Sequence, residues 1–285
     1  MKDQAELLRT RMKQNEHTPP AKTIAIASGK GGVGKSNFSI NFALKLIEQK
    51  KRVLLFDLDI GMGNVDILLG LTPKYSFVDL FKEELEFSEI IESGPNSLSY
   101  IAGGSGLSQI FQLDDEKFSY FQRQFADLTG IYDYILFDMG AGATNDSLNF
   151  ISAAHEAFVV TTPEPTSITD GYAMIKHLVK KDPKLPIKVL VNRSLSNENG
   201  QQTFNRLQMV VKRFLNVDIE SLGTIPDDRV VLKAVNQQLP FVIDQPGSKA
   251  SKSLDQIVRK YLNGQVQMRQ ADSFMAKLKR LVFER

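Results

Sequence analysis

From Thr23 onward the chain repeats one pattern: a short, continuous apolar run, a turn, and then a longer stretch with apolar residues every three or four positions. The runs at 23–28, 52–57, 134–138, 157–161, 187–191 and 219–225 read as strands, with a shorter candidate at 99–102. Most are apolar throughout rather than alternating, which suits strands covered on both faces. Helical patterns fill the intervals. The expected fold class is α/β: a doubly wound, mostly parallel sheet flanked by helices, with its ligand at the C-terminal edge of the strands. Two flanking segments break the pattern. Residues 3–14 carry a narrow apolar stripe (Ala5, Leu8, Met12), and Pro19-Pro20 ends the stretch that follows. The predicted organisation is a head helix over 1–14, a linker over 15–22, one domain over 23–264 and a tail helix over 265–285.

The loop after the first strand is Gly29-Lys30-Gly31-Gly32-Val33-Gly34-Lys35-Ser36, which fits the phosphate-loop pattern G-x-x-x-x-G-K-S/T. Asn37 and the residues after it continue as a buried helix. Glycines let backbone N–H groups converge on phosphate oxygens, and the helix N-terminus adds positive potential. Lys35 is expected to reach the β- and γ-phosphates, and the Ser36 hydroxyl to bind Mg²⁺. The second strand ends in Asp57-Leu58-Asp59, two carboxylates two positions apart and so facing the same way. They are tolerable beside phosphates only with Mg²⁺ and a lysine nearby. Ile135-Leu136-Phe137-Asp138 has the form of a strand whose terminal acid holds the metal through water. Gly140, two residues on, is the candidate for sensing a γ-phosphate through its N–H. ATP or ADP with Mg²⁺ is the expected cofactor.

Lys30 sharpens the assignment, because an ordinary phosphate loop does not need a lysine after its first glycine. GKGGVGKS resembles the deviant Walker A motif of the ParA/MinD ATPases. That resemblance implies an ATP-dependent homodimer in which Lys30 contacts the partner's nucleotide. It further implies that Asp59 orients the attacking water, that Asp57 supports the Mg²⁺ shell and that Asn64 helps position the water. The run 160–170 (VTTPEPTSITD) resembles the MinD branch, with Thr169 or Asp170 as the expected helix cap. The fifth strand ends Val191-Asn192-Arg193-Ser194-Leu195, without the N/T-K-x-D that grips guanine, so ATP is favoured over GTP. By the same resemblance Asn192 and Arg193, with Pro226 and Asp227, hold the adenine. Phosphoryl transfer needs mainly positioning and charge stabilisation, so a poor ATPase activated by dimerisation is expected.

Composition removes several alternatives. The 285 residues carry a net charge of +2, so the whole chain is not an electrostatic nucleic-acid binder. There is no cysteine, which excludes disulfides and thiolate-held metals or clusters. The N-terminus lacks a signal-peptide core, and a cytoplasmic protein is expected. The tail is amphipathic. At 100° per residue Phe274, Met275, Leu278, Leu281 and Val282 share an arc of roughly 120°, while Lys277, Lys279 and Arg280 lie outside it and Phe283 is misplaced. Such a helix suits an anionic membrane surface, or it docks on the body, or it does each in a different nucleotide state.

The head, Asp3-Gln4-Ala5-Glu6-Leu7-Leu8-Arg9, resembles the D-Q-A-x-x-L-R element of the FlhG (YlxH, FleN) proteins, the flagellar branch of the MinD group. The resemblance implies activation of the FlhF GTPase, with Gln4 as the activating residue, Asp3 beside it, Leu8 packing and Arg9 pairing. Components of the flagellar switch ring (C-ring) are further implied partners. The competing readings are a MinD-type division-site ATPase, a ParA-like DNA-segregation ATPase using Lys249, Lys252, Arg259 and Lys260, and a scaffold whose hydrolysis hardly matters.

Overall fold

A sheet of eight strands, in the order β3-β4-β2-β5-β1-β6-β7-β8, organises the molecule. The structure, a computed structural model, describes residues 20–59, 65–104, 115–264 and 273–283. The strands are β1 (Lys22–Ala27), β2 (Val53–Leu58), β3 (Glu92–Ser93), β4 (Ser99–Ile101), β5 (Tyr134–Met139), β6 (Glu156–Thr161), β7 (Ile187–Ser194) and β8 (Glu220–Pro226). All pairings are parallel except β3 with β4. The predicted runs therefore fall on strands within a few residues. The two-residue β3 escaped detection because it is too short to show a period.

Helices cover both faces: α1 (Lys35–Glu48), α2 (Val65–Leu69), α3 (Phe77–Lys82), α4 (Phe87–Ile90), α5 (Asp115–Ile131), α6 (Asn145–Ala153), α7 (Pro165–Lys181), α8 (Asn197–Leu215), α9 (Arg229–Asn236), α10 (Phe241–Asp244), α11 (Lys249–Asn263) and α12 (Phe274–Phe283). Alternate residues of each strand feed different cores. Ala25, Leu54, Phe56 and Phe137 join one apolar cluster, and Ile24, Ile26, Leu55 and Leu136 join the other. This is why the strands read as unbroken apolar runs. The first cluster centres on aromatic rings. Phe56 lies 5.4–6.4 Å, centroid to centroid, from Phe77, Phe87, Phe125 and Phe137, mostly tilted or edge-on.

The tail helix α12 docks on α6 and α5. Phe274, Met275 and Leu278 are buried, and Phe274 sits 5.0–5.1 Å from Phe125, Phe137 and Phe150. Leu281, Val282 and Phe283 pack at the rim of the same core. Phe283, misplaced on the helical arc, meets Phe118 edge-on at 5.1 Å. Lys279 and Arg280 point to solvent, whereas Lys277 is half-buried near Asp182, 3.9 Å away. The apolar face expected to meet a membrane is thus covered by the protein itself. The head residues Asp3, Gln4, Leu8 and Arg9 lie outside the described residues, as does Asn64.

The helix cap expected at Thr169 or Asp170 is instead Glu164, because Pro165 takes the first helical position, where its missing N–H costs nothing. The Thr169 hydroxyl donates back to the Pro165 carbonyl inside the helix.

Removing the ring at the centre of the aromatic cluster tests this account. Phe56→Ala should lower unfolding stability by about 3–5 kcal/mol, read from the urea midpoint with an unchanged slope.

Candidate functional site

The sheet brings the predicted carboxylates to one place. In the parallel register of β2 and β5, Asp57 lies directly across from Asp138, and β1 on the other side of β5 leads into the glycine-rich loop. That loop turns into α1 through Gly34, whose φ of 88° only glycine adopts easily. A Cβ there would also come within 2.4 Å of the Asn192 amide nitrogen. At the loop's start Gly29 allows α7 to approach, since a Cβ would stand 2.0 Å from the Asp170 carbonyl oxygen.

Lys35 is almost completely buried and donates from Nζ to Asp138 Oδ1 at 3.0 Å. The Ser36 hydroxyl lies 3.3 Å from the same ammonium, and Asp59 Oδ2 lies 3.9 Å from it. The Ser39 hydroxyl reaches Asp138 Oδ1 at 2.8 Å, one turn after Lys35 on the same face of α1. Sequence reading missed Ser39, although its i+4 spacing from Lys35 was a usable signal. Asp138 Oδ2 is buried without a hydrogen-bond partner among the described residues.

Asp57 accepts from the Asp59 N–H and the Val65 N–H, both at 3.1 Å, and so ties the strand end to the start of α2. Burial, and then the charge of Asp138, push its carboxyl up to about 7. Burial also raises Asp59, against the pull of Lys35. Three carboxylates and one lysine converge here, and a hard divalent cation fits them. The orphan oxygen of Asp138, Asp57 and the Ser36 hydroxyl are oxygen donors of the kind Mg²⁺ takes. Among the described residues no three His, Cys, Asp or Glu side chains form a metal cage.

The Gly140 N–H donates to the Leu58 carbonyl at 3.3 Å, and Gly142 N–H to the Ser28 carbonyl at 3.3 Å. The segment after Asp138 is therefore tied both to the Asp57–Asp59 strand end and to the residue before the loop. Beyond the loop lies a cavity of about 550 Å³ lined by Asn192, Arg193, Pro226 and Asp227, the residues assigned to the base, and by Asn37, expected to bind nucleotide from the start of the helix. Phe38, Val231, Val235 and Phe241 add an apolar wall that sequence reading did not find. They come from three separate helices, and no local spacing links them. Asn192 has a structural role as well: its amide donates to the Val33 carbonyl at 2.8 Å and pins the loop. Lys30 folds back within its own chain, 2.7 Å from Glu164 Oε2.

Comparison with known proteins follows the geometry. A family model described as ParA, NUBPL iron-transfer P-loop NTPase, matches residues 20–262. The antiactivator FleN of Pseudomonas aeruginosa is 37% identical over 87% of this chain and 89% of its own length. The flagellum site-determining protein YlxH of Helicobacter pylori is 32% identical over 83% of this chain and 80% of its own. Among solved structures, the septum site-determining protein MinD of Pyrococcus horikoshii, complexed with Mg-ADP, superposes with a TM-score of 0.70 at 25% identity. That match covers 86% of this chain and 98% of the other.

Two outcomes test the site. Asn192→Ala should loosen the loop and weaken binding of a fluorescent ATP analogue by about tenfold, the scale of one lost hydrogen bond near a charged ligand. The second concerns pH. The carboxyl of Asp57 is raised from 3.8 unfolded to about 7 folded, so the folded state holds the extra proton. Its contribution to stability is fully present below about pH 3.8 and is lost as pH rises towards 7. Asp57→Asn should flatten that part of the stability profile and stabilise the nucleotide-free protein at pH 8, as read by urea unfolding across pH.

Proposed function

We propose that this chain, which belongs to the flagellar FlhG (FleN/YlxH) branch of the ParA/MinD family of P-loop NTPases, is an ATPase switch. It cycles between a cytosolic monomer and an ATP-bound homodimer attached to the membrane, and it acts on flagellar number or placement. The observation that carries the reading is the convergence of Lys35, Asp57, Asp59 and Asp138 behind a loop that also holds Lys30. The iron transfer named in the family description would need ligands of another kind, because the chain has no cysteine to hold a cluster.

In this reading Gly29, Gly31, Gly32, Val33 and Gly34 wrap the phosphates with backbone N–H groups, and Lys35 exchanges Asp138 for the β- and γ-phosphates. Ser36, Asp57 and Asp138 hold Mg²⁺, which supplies charge neutralisation for phosphoryl transfer. Ser39 keeps Asp138 oriented while its lysine is away. Asp59 orients the attacking water with help from Asn64, and Gly140 reports the γ-phosphate by giving up the N–H bond it makes to the Leu58 carbonyl in the free protein. Asn37, Asn192, Arg193, Pro226 and Asp227 hold base and sugar in the cavity beyond. Lys30 completes the site of the second copy, so hydrolysis waits for assembly.

The membrane arm is α12. Its apolar side is worth covering in the monomer, and Lys277, Lys279 and Arg280 would favour an anionic surface once it is released. Two such helices in one dimer bind far better than one, through effective concentration. Among the described residues no helix is long and apolar enough to cross a membrane. The head residues Asp3, Gln4, Leu8 and Arg9 would stimulate an FlhF-type GTPase, with switch-ring components as further partners. A division-site role shares the same chemistry and lacks a use for that head.

Sedimentation with anionic liposomes tests the switch. Full-length protein should pellet with ATP and remain soluble with ADP, and a chain ending at Gln267 should not pellet in either state. Binding to duplex DNA with no liposome binding would replace this reading with DNA segregation. A peptide of residues 1–20 that fails to stimulate FlhF would remove the flagellar argument from the head.

A further inference from the structure

Lys30 is held in a position that its surroundings disfavour. Its ammonium lies 2.7 Å from Glu164 Oε2 and 3.2 Å from the Thr166 hydroxyl. Glu164 is the N-cap of α7 and Thr166 lies in its first turn. The dipole of a helix favours a carboxylate at that end and disfavours an ammonium. Arg193 adds a second positive charge that acts on Glu164 from the base cavity, which Glu164 also lines. Among the described residues the Glu164 carboxylate is the charged group that offsets what pushes Lys30 away from its own chain, with the Thr166 hydroxyl as a neutral acceptor beside it.

We propose that Glu164 is a positioning residue for Lys30: it holds the lysine back along its own loop in the single copy, and this pair must open before Lys30 can serve a second copy. The inference rests on the reading of Lys30 as a residue that crosses between copies. Both side chains are partly exposed, 30% for Lys30 and 62% for Glu164, so the hold is weak and sensitive to salt. A weak hold suits a switch, since each nucleotide cycle must break it. A homodimer opens two such pairs, so their effects multiply.

Two measurements test it. The first is the rate at which Lys30 is acylated in the nucleotide-free protein, followed by mass spectrometry. Glu164→Gln should raise that rate about two- to fivefold, the scale of one exposed ion pair. Added salt should speed the wild type towards the variant and leave the variant nearly unchanged. The second is sedimentation with Mg²⁺ and a non-hydrolysable ATP analogue. Glu164→Gln should assemble at a lower protein concentration, by about four- to twenty-fivefold for two pairs opened. Glu164→Asp, which keeps the charge on a shorter arm, should fall between the two.

Equal acylation in wild type and Glu164→Gln would overturn the proposal, because the pair would then not hold Lys30 in solution. Weaker or unchanged assembly of Glu164→Gln would also overturn it, a weaker dimer indicating that Glu164 serves the partner's lysine. Lys30→Ala separates this failure from that of the underlying reading. If Lys30→Ala assembles like the wild type, Lys30 does not cross between copies, and the proposal falls with that reading whatever the acylation rates.

Discussion

The buried contact between Lys35 and Asp138 is the constraint around which the site is built. Neither group is tolerable alone in that position, because an unpaired charge out of water is expensive. The pair leaves Asp138 Oδ2 without a partner, and it leaves Asp57 across the register with its proton favoured up to about pH 7. A centre with more acid than base is thus packed into the strand ends at a cost to folding. A divalent cation and a polyanion together would offset both sides of that imbalance. The same electrostatics that weaken the free protein therefore prepare it to bind a metal nucleotide.

The sheet makes this possible through its order rather than its chemistry. Asp57 and Asp138 lie far apart in the chain and meet because β2 and β5 are neighbours in register, with β1 on the far side of β5. The loop after β1 then opens between them and β6, at the point where successive connections leave in opposite directions. The tethers from Gly140 to Leu58 and from Gly142 to Ser28 tie the three strand ends together. A change sensed at one can thus be felt at the others without a large movement of the sheet.

On the face of the sheet away from Lys35, the apolar stripe of α12 is already occupied. Phe274, Met275 and Leu278 complete an aromatic core that includes Phe125, Phe137 and Phe150. They cannot fill that core and a lipid surface at once. Phe137 immediately precedes Asp138 on β5, so the ring that touches Phe274 and the acid in the site are adjacent on one strand, facing opposite sides. Packing and chemistry share a backbone there.

The sequence by itself determined the phosphate loop, the strand-end acids, the doubly wound fold and the amphipathic tail. Each is written in neighbouring residues, as a glycine spacing, a pair of acids two positions apart, a continuous apolar run or a helical stripe. Tertiary structure alone decided which acid faces Lys35, that Ser39 supports Asp138, and that Phe38, Val231, Val235 and Phe241 wall the cavity beside Asn192. It also placed the helix cap at Glu164, put Lys30 on that residue and gave Phe283 a partner in Phe118. These contacts join segments far apart in the chain, so their geometry depends on strand order and helix placement. Local periodicity carries the requirement that a face be buried, but not the identity of what buries it.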